Sequence, residues 1–179
     1  MIGIAGRQGN VAEHAAVLSG LGAEWRLVLS PKDLGGLRAL VLPGGETTAQ
    51  RLLWDERGLW DAIKAFGSPI LGTCAGAIHL AGKTVDAEST LGMMDTVVER
   101  NGWGAQAASF RGDCALPWAK MEALFIRAPR FRSTGSGIDV LATCRGEAVV
   151  VRAGRLWASA CHPEALGESA LHEGFLSSL

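Results

Sequence analysis

The 179-residue chain carries 17 Lys and Arg against 18 Asp and Glu, a formal net charge of −1, with 48% hydrophobic and 20% charged residues. That length suits one domain spanning 1–179, with a core large enough to fold without disulfides or a structural metal, and that balance excludes a disordered chain and an electrostatic grip on nucleic acid. The opening Met1-Ile2-Gly3-Ile4 lacks a basic n-region and a long apolar h-region, and no uncharged apolar run reaches membrane-spanning length, so a cytoplasmic location is the expectation.

Met1 to Ala5 is a short apolar strand, and Asn10 to Leu21 has helical spacing, with Val11, Ala15, Leu18 and Leu21 on one side and Asn10 placed to cap it. Glu24 to Leu29 returns to strand character, a helical turn follows Pro31, and Arg38 to Leu42 is a third strand. A helical stretch, Thr47 to Phe66, leads to a short buried strand at Pro69 to Leu71. Alternation of strand and helix predicts an α/β fold, three-layer αβα, with a mostly parallel wound sheet whose ligands sit at the carboxyl ends of its strands. The second half is richer in strands: 94–99, 107–110, 122–126, then 139–144, 147–152 and 155–160 as an antiparallel meander turning at Gly146 and Gly154. Glu168 to Leu179 closes the chain as a helix.

Chemistry concentrates at three places. Ser68-Pro69-Ile70-Leu71-Gly72-Thr73-Cys74-Ala75-Gly76-Ala77-Ile78 is a strand turning sharply into a helix near Ala75, with Cys74 at the apex. This is the nucleophile-elbow pattern with sulfur in place of oxygen, and the helix end favours the thiolate. Leu42-Pro43-Gly44-Gly45-Glu46-Thr47-Thr48 follows the third strand and opens a helix at the same sheet edge. Its backbone N–H groups can bind an oxyanion, Gly45 permits close approach, and Thr47 is a plausible cap; the loop lacks the Lys-Ser/Thr ending of a phosphate loop. In Cys161-His162-Pro163-Glu164, an extended backbone puts His162 and Glu164 on one side, a base with a carboxylate to orient it. Cys, His and Glu together supply every role of a nucleophilic triad. Cys74, Cys114, Cys144 and Cys161 show no C-x-x-C pairing and are expected as free thiols. His14, His79 and His172 are expected on the surface or at an interface, and Arg127, Arg130 and Arg132 as solvated surface with one ligand contact.

On these residues the chain resembles the class I glutamine amidotransferases, and among them most closely the glutaminase subunits of pyridoxal 5′-phosphate synthase. LPGGETT (Leu42 to Thr48), GTCAG (Gly72 to Gly76), LGMMDTVVERN (Leu91 to Asn101), FIRAP (Phe125 to Pro129) and HPE (His162 to Glu164) carry the resemblance, which covers nearly the whole chain. The chain departs from the family pattern at Ala5-Gly6-Arg7-Gln8-Gly9, where relatives read ALQG, and at Cys161, where an aromatic commonly precedes HPE. Ala165-Leu166-Gly167 also replaces a Leu-Thr.

The resemblance implies hydrolysis of L-glutamine to glutamate and ammonia. Cys74 would be the nucleophile, His162 the acid and base, and Glu164 its orienter, with Gly44, Gly45, Glu46, Arg100, Ile126 and Arg127 lining the glutamine site. Backbone N–H groups of Gly45 and Ala75 would form the oxyanion hole, and neither metal nor organic cofactor is required. It further implies a hetero-oligomer with a barrel-shaped synthase subunit that combines the ammonia with ribose 5-phosphate and glyceraldehyde 3-phosphate. Two alternatives stand beside it: a glutaminase subunit of another synthase, such as imidazole glycerol phosphate synthase, against which ERN and FIRAP speak, and a non-catalytic redox or chaperone protein of the same fold.

Overall fold

A computed structural model describes residues 1–87 and 89–179. Its first half alternates as the sequence predicts: β1 (Ile2–Ala5), α1 (Val11–Gly20), β2 (Trp25–Val28), a 3-10 turn at Pro31–Leu34, β3 (Ala39–Leu42), α2 (Thr47–Asp55), α3 (Leu59–Lys64), β4 (Ile70–Thr73) and α4 (Ala75–Leu80). The predicted helical stretch from 47 to 66 is two helices, because Gly58 takes a left-handed φ of 68° that no helix interior accommodates.

The second half contains β5 (Ala81–Thr84), β6 (Met94–Glu99), β7 (Phe110–Ala115), β8 (Lys120–Phe125), β9 (Arg130–Thr134), β10 (Asp139–Cys144), β11 (Glu147–Ala153), β12 (Leu156–Ser159) and α5 (Ala170–Ser177). The strand expected at 107–110 is instead a 3-10 turn at Gln106–Ala108, with β7 starting only at Phe110. Ser109 explains the shift: its hydroxyl donates to the Gln106 carbonyl at 2.6 Å, a local bond that competes with a strand ladder. Phe110 then pairs with Phe125, their rings stacked at 4.5 Å.

The main sheet has seven strands in the order β10-β11-β12-β4-β3-β1-β2. β2, β1, β3, β4 and β12 run parallel, while β11 and β10 extend the β12 side antiparallel. β1, β3, β4 and β12 are buried at every position, which explains why Ile-Gly-Ile-Ala, Ala-Leu-Val-Leu, Ile-Leu-Gly-Thr and Leu-Trp-Ala-Ser read as continuous apolar runs rather than alternating ones. Strands buried on both faces require a covering layer on each. β5, β6 and β9 form a second sheet, and β7 with β8 a hairpin. Among the described residues, no helix is long and apolar enough to cross a membrane.

The carboxyl ends of β1, β3 and β4 share one edge. There Trp54 of α2, fully buried, donates from its indole to the Gly6 carbonyl at 2.9 Å, tying α2 to the loop after β1. The turn from β4 into α4 passes so close to β3 that a Cβ on Gly76 would collide with the Leu42 carbonyl, and one on Gly72 with the Gly76 backbone. Gly76→Ala is therefore expected to destabilise the fold by at least about 1–3 kcal/mol through overpacking against rigid backbone. Gly20→Ala, where an added methyl meets nothing within 4 Å at the end of α1, should stabilise by about 0.5–1 kcal/mol. Urea midpoints of the two variants against the parent chain check the contrast.

Candidate active site

Cys74 stands between β4 and α4 with φ 48° and ψ −101°, a conformation that a non-glycine residue holds only when its surroundings force it. They do: its N–H donates to the Ser159 carbonyl at 2.7 Å and its own carbonyl accepts from Ile78 N at 3.1 Å. The backbone is thus pinned to β12 on one side and to α4 on the other. Its thiol faces a cavity of about 430 Å³, also walled by Gly45, Glu46, Arg100, Ile126, Arg127 and His162. Asn101 and Arg127 share with Cys74 a positive φ, 53° and 45°, so strained backbone clusters around this cavity.

Other sequence-predicted residues stand behind the wall rather than in it. Gly44 packs against His162, where any side chain would run into the imidazole; Gly45 is likewise confined by the Gln8 side chain. Ala75 is the buried first residue of α4, and Glu164 lies behind His162. His162 and Glu164 meet as expected, Nδ1 to Oε1 at 2.7 Å, but not along an extended strand. Pro163 is in the helical region and Glu164 begins a 3-10 turn, so the pair closes across a tight turn instead. His162 itself is spliced to β8, donating from its N to the Leu124 carbonyl at 2.9 Å.

Two expected caps have other roles. Thr47 does not cap α2; Glu46 does, its carboxylate accepting from Thr48 N at 3.1 Å and Ala49 N at 2.7 Å. Burial works against charge on Glu46, but these bonds and the nearby Arg100 hold its pKa below the usual value. Arg100 reaches Glu46 at 3.8 Å and Asp86 at 3.5 Å, so its charge is fixed at the cavity mouth by two carboxylates. Asn10 makes no capping bond on α1 and instead donates from Nδ2 to Glu164 Oε1 at 2.7 Å. Its backbone N donates to the Gly44 carbonyl at 3.1 Å, and Gln8 Oε1 accepts from Glu46 N at 3.0 Å. The loop after β1 therefore holds both the Gly-Gly-Glu loop and the buried carboxylate. Gln8, Asn10 and Gln106 line the cavity without being named as site residues by any motif, and Asn101, the end of the LGMMDTVVERN block, lines it too; for the first two, the rule that ligands bind beyond the carboxyl ends of parallel strands was the available signal.

The histidines expected at the surface are buried. His14 Nδ1 lies 2.9 Å from His172 Nε2, and His14 Nε2 lies 3.0 Å from Thr73 Oγ1 and 3.5 Å from Glu164 Oε1. His79 Nε2 lies 3.0 Å from Gln50 Oε1, with Trp54 and Trp60 packed around its ring. Each finds a polar partner inside the fold that helical spacing could not reveal. Arg130 and Arg132 pair with Glu147 and Glu99, leaving Arg127 as the member of that group at the cavity.

Electrostatics divide these groups. Burial lowers His162, but hydrogen bonds to Cys74 and Glu164 overcome it and raise its pKa to about 10. Burial opposes charge on Glu164, yet His14 and the hydrogen bond from His162 hold it down at about 2. His79 and His172 are pushed to about 3, chiefly by burial, and His14 is lowered for the same reason. A charged imidazolium between a carboxylate and a thiol, at a strained elbow where a helix begins, is an arrangement for nucleophilic attack on an acyl carbon.

Comparison with known proteins agrees in family and fold. The model of the SNO glutamine amidotransferase family matches residues 4–178. The chain is 38% identical to the pyridoxal 5′-phosphate synthase subunit PdxT of Kosmotoga olearia, over 99% of this chain and 97% of that one. It is 43% identical to the protein of the same name from Actinobacillus pleuropneumoniae, over 99% and 95%. A crystal structure described as a glutamine amidotransferase superimposes with a TM-score of 0.93 at 40% identity, covering 99% of this chain and 97% of that one.

The pKa shifts set a stability profile. His162, raised from 6.5 to about 10, adds stability that is complete below pH 6.5 and lost as pH rises toward 10; His79 and His172, lowered to about 3, cost stability as pH falls below 6.5. Stability is expected to peak near pH 6.5, with each buried histidine removing about 1.4 kcal/mol per pH unit well below it. Urea unfolding at pH 5, 6.5 and 9 checks this, and a midpoint that keeps rising from pH 6.5 to 5 would contradict it.

Proposed function

The chain belongs to the SNO glutamine amidotransferase family, and from that premise we propose that it is the glutaminase subunit of a pyridoxal 5′-phosphate synthase, hydrolysing L-glutamine and passing the ammonia to a synthase subunit. The observation that carries the reading is the Cys74, His162 and Glu164 line at the floor of a cavity walled by Gly45, Glu46, Arg100, Ile126 and Arg127. Residues 1–179 act in it as one domain.

In this mechanism the side-chain amide of glutamine lies over Cys74. With Nδ1–H committed to Glu164, His162 faces the sulfur with Nε2, and the imidazolium stabilises the thiolate electrostatically. The thiolate adds to the amide carbon, and the N–H groups of Ala75 and Gly45 hold the oxyanion, each such donor contributing about 3 kcal/mol. His162 protonates the departing nitrogen and ammonia leaves. The same imidazole then takes a proton from water, which opens the glutamyl thioester to release glutamate. Arg100 and Arg127 supply positive charge at the cavity for the substrate carboxylate. A steady-state assay of glutamate release is expected to give turnover in the parent chain and none in Cys74→Ala. A glutamine-derived diazo ketone should label Cys74 and spare Cys161, which is fully buried. Label found mainly on Cys161 would overturn the assignment.

Regulation by the acceptor follows from the loop after β1. A glutaminase acting alone would lose ammonia to solvent, so its oxyanion hole is best completed only on docking. The Gly44–Gly45 peptide is held by the bond from Asn10 N to the Gly44 carbonyl, and Asn10 also holds Glu164. A partner that moves residues 6–10 acts on oxyanion donor and triad together. Adding the synthase subunit is expected to raise glutaminase turnover at least about tenfold at saturating glutamine, or about 1.4 kcal/mol of transition-state stabilisation. Equal turnover with and without a demonstrably bound partner would exclude this gating.

A further inference from the structure

Behind the cavity wall, one buried polar side chain joins the two loops that frame it. Gln50 of α2 is fully buried and is not among the residues lining the cavity, yet its amide nitrogen faces three main-chain carbonyls: Pro43 at 3.1 Å, Gln8 at 3.2 Å and Gly44 at 3.5 Å. Three acceptors around one nitrogen assign the two ends of the amide, so it is Oε1 that lies 3.0 Å from His79 Nε2, and that ring nitrogen carries the hydrogen. His79, on α4, is buried in turn with Trp54 and Trp60 around its ring, and burial keeps it neutral. A line of hydrogen bonds therefore runs from α4 through α2 to the loop after β1 and the loop after β3. None of it is used in the glutaminase mechanism above.

We propose that Gln50 is a positioning residue for the oxyanion donor: its one buried amide holds the loop after β1 and the Gly44–Gly45 turn in a fixed relation, and His79 holds that amide in place. The proposal rests on the glutaminase reading, in which the Gly45 N–H stabilises the oxyanion. Packing is close on both sides of the amide. A Cβ on Gly45 would lie 2.8 Å from Gln50 Nε2 and one on Gly9 2.9 Å from it, so each loop brings bare backbone against the same nitrogen. The Pro43–Gly44 peptide is gripped at both ends, its carbonyl by Gln50 and its N–H by the Thr73 hydroxyl at 3.2 Å. The Gly44 carbonyl beside it accepts from Asn10 N at 3.1 Å, and Asn10 belongs to the loop whose Gln8 carbonyl Gln50 also holds.

What this grip controls is orientation. In a trans peptide the carbonyl and the N–H point in opposite directions, so the direction of the Gly44 carbonyl sets the direction of the Gly45 N–H. Glycine on both sides would let that peptide turn at little steric cost. Asn10 N and the Gln50 amide, both facing the Gly44 carbonyl, keep it from turning. The Gln50 bonds are buried away from water, where leaving them unmade is costly, so the grip is firm. An oxyanion donor acts only as negative charge develops on the substrate oxygen. Loss of its alignment therefore lowers kcat and leaves the binding of glutamine nearly unchanged.

Gln50→Leu, assayed with the synthase subunit added, should lower kcat at least about tenfold, a part of the roughly 10²–10³ that complete loss of an oxyanion donor costs, with KM changed less than about twofold. An unchanged kcat, or a loss confined to KM, overturns the proposal. Because Gln50→Leu also strands the His79 N–H, a second variant separates grip from stability. Adding His79→Leu removes the stranded donor, so the urea midpoint should rise above that of Gln50→Leu while turnover stays low. Turnover that recovers with the midpoint would make Gln50 a packing residue only. Amide hydrogen exchange reads the grip without any chemistry: in the double variant, exchange at Asn10 and at Gly44 to Glu46 should be at least about fivefold faster than in the parent chain, relative to exchange in β11. Unchanged exchange there overturns the grip. A parent chain without turnover in the same assay would remove the glutaminase reading, and the exchange rates alone would then decide whether Gln50 holds the two loops.

Discussion

The structure depends on keeping one carboxylate charged while hiding it from water. Glu164 is 2% exposed, and an isolated carboxylate at that depth would take up a proton rather than stay ionised. Its Oε1 is approached by His162 at 2.7 Å, Asn10 at 2.7 Å and His14 at 3.5 Å. Those groups come from the turn after β12 at one end of the chain and from the loop after β1 and the adjoining α1 at the other. A carboxylate that satisfies all of them fixes their relative positions at the edge where the parallel strands end. Because charge-assisted bonds in a low dielectric are strong and leaving one unmade is costly, this edge is rigid for reasons independent of the strands beneath it.

From that carboxylate, order extends in two directions. Toward the substrate, Glu164 turns His162 so that its other nitrogen faces Cys74, whose backbone is itself pinned between β12 and α4. Gly44 supports the same ring from behind, since only a residue without a side chain leaves room there. Away from the substrate, His14 connects Glu164 with Thr73 and His172, and the Thr73 hydroxyl accepts from Gly44 N at 3.2 Å. Thr73 immediately precedes Cys74, so the buried histidines brace the same turn that presents the Cys74 thiol to the cavity. Keeping His14 and His172 neutral is what lets them serve as hydrogen-bond partners without adding positive charge behind His162 and Glu164.

Much of this was legible in the sequence, for identifiable reasons. Doubly buried strands announce themselves as unbroken apolar runs, and the small residues of the GTCAG and LPGGE segments mark where backbone passes close to backbone and to the His162 ring. β5 and β9 were not legible. Ala-Gly-Lys-Thr has little strand character, and the arginines of Arg-Phe-Arg-Ser-Thr conceal a strand whose charges are met by Glu147 and Glu99 on other elements. Asn10 was misread as a helix cap because its local sequence fits one, while its actual partner is 154 residues away. The histidines were misread for the same reason, since their partners lie across the fold. Periodicity reports which side of an element is buried and says nothing of what polar group waits there.

The loop from Gly6 to Asn10 is where these arguments meet. Through Gln8 it holds Glu46, through Asn10 N it holds the Gly44 carbonyl, and through Asn10 Nδ2 it holds Glu164. Arg7, at φ 80°, ties the loop to α2 by donating to the Leu53 carbonyl at 3.1 Å and pairing with Glu56 at 3.2 Å. A short segment that is bonded to the Gly44–Glu46 loop, to Glu164 and to α2 cannot move without changing all of them. Its Arg7 bonds to α2 are exposed and weak, whereas the Trp54 indole bond to the Gly6 carbonyl is buried and the bonds to Glu164 and Glu46 are part-buried. Force applied from outside would therefore release Arg7 first and reach α2 through Gly6 and Glu164 through Asn10 together.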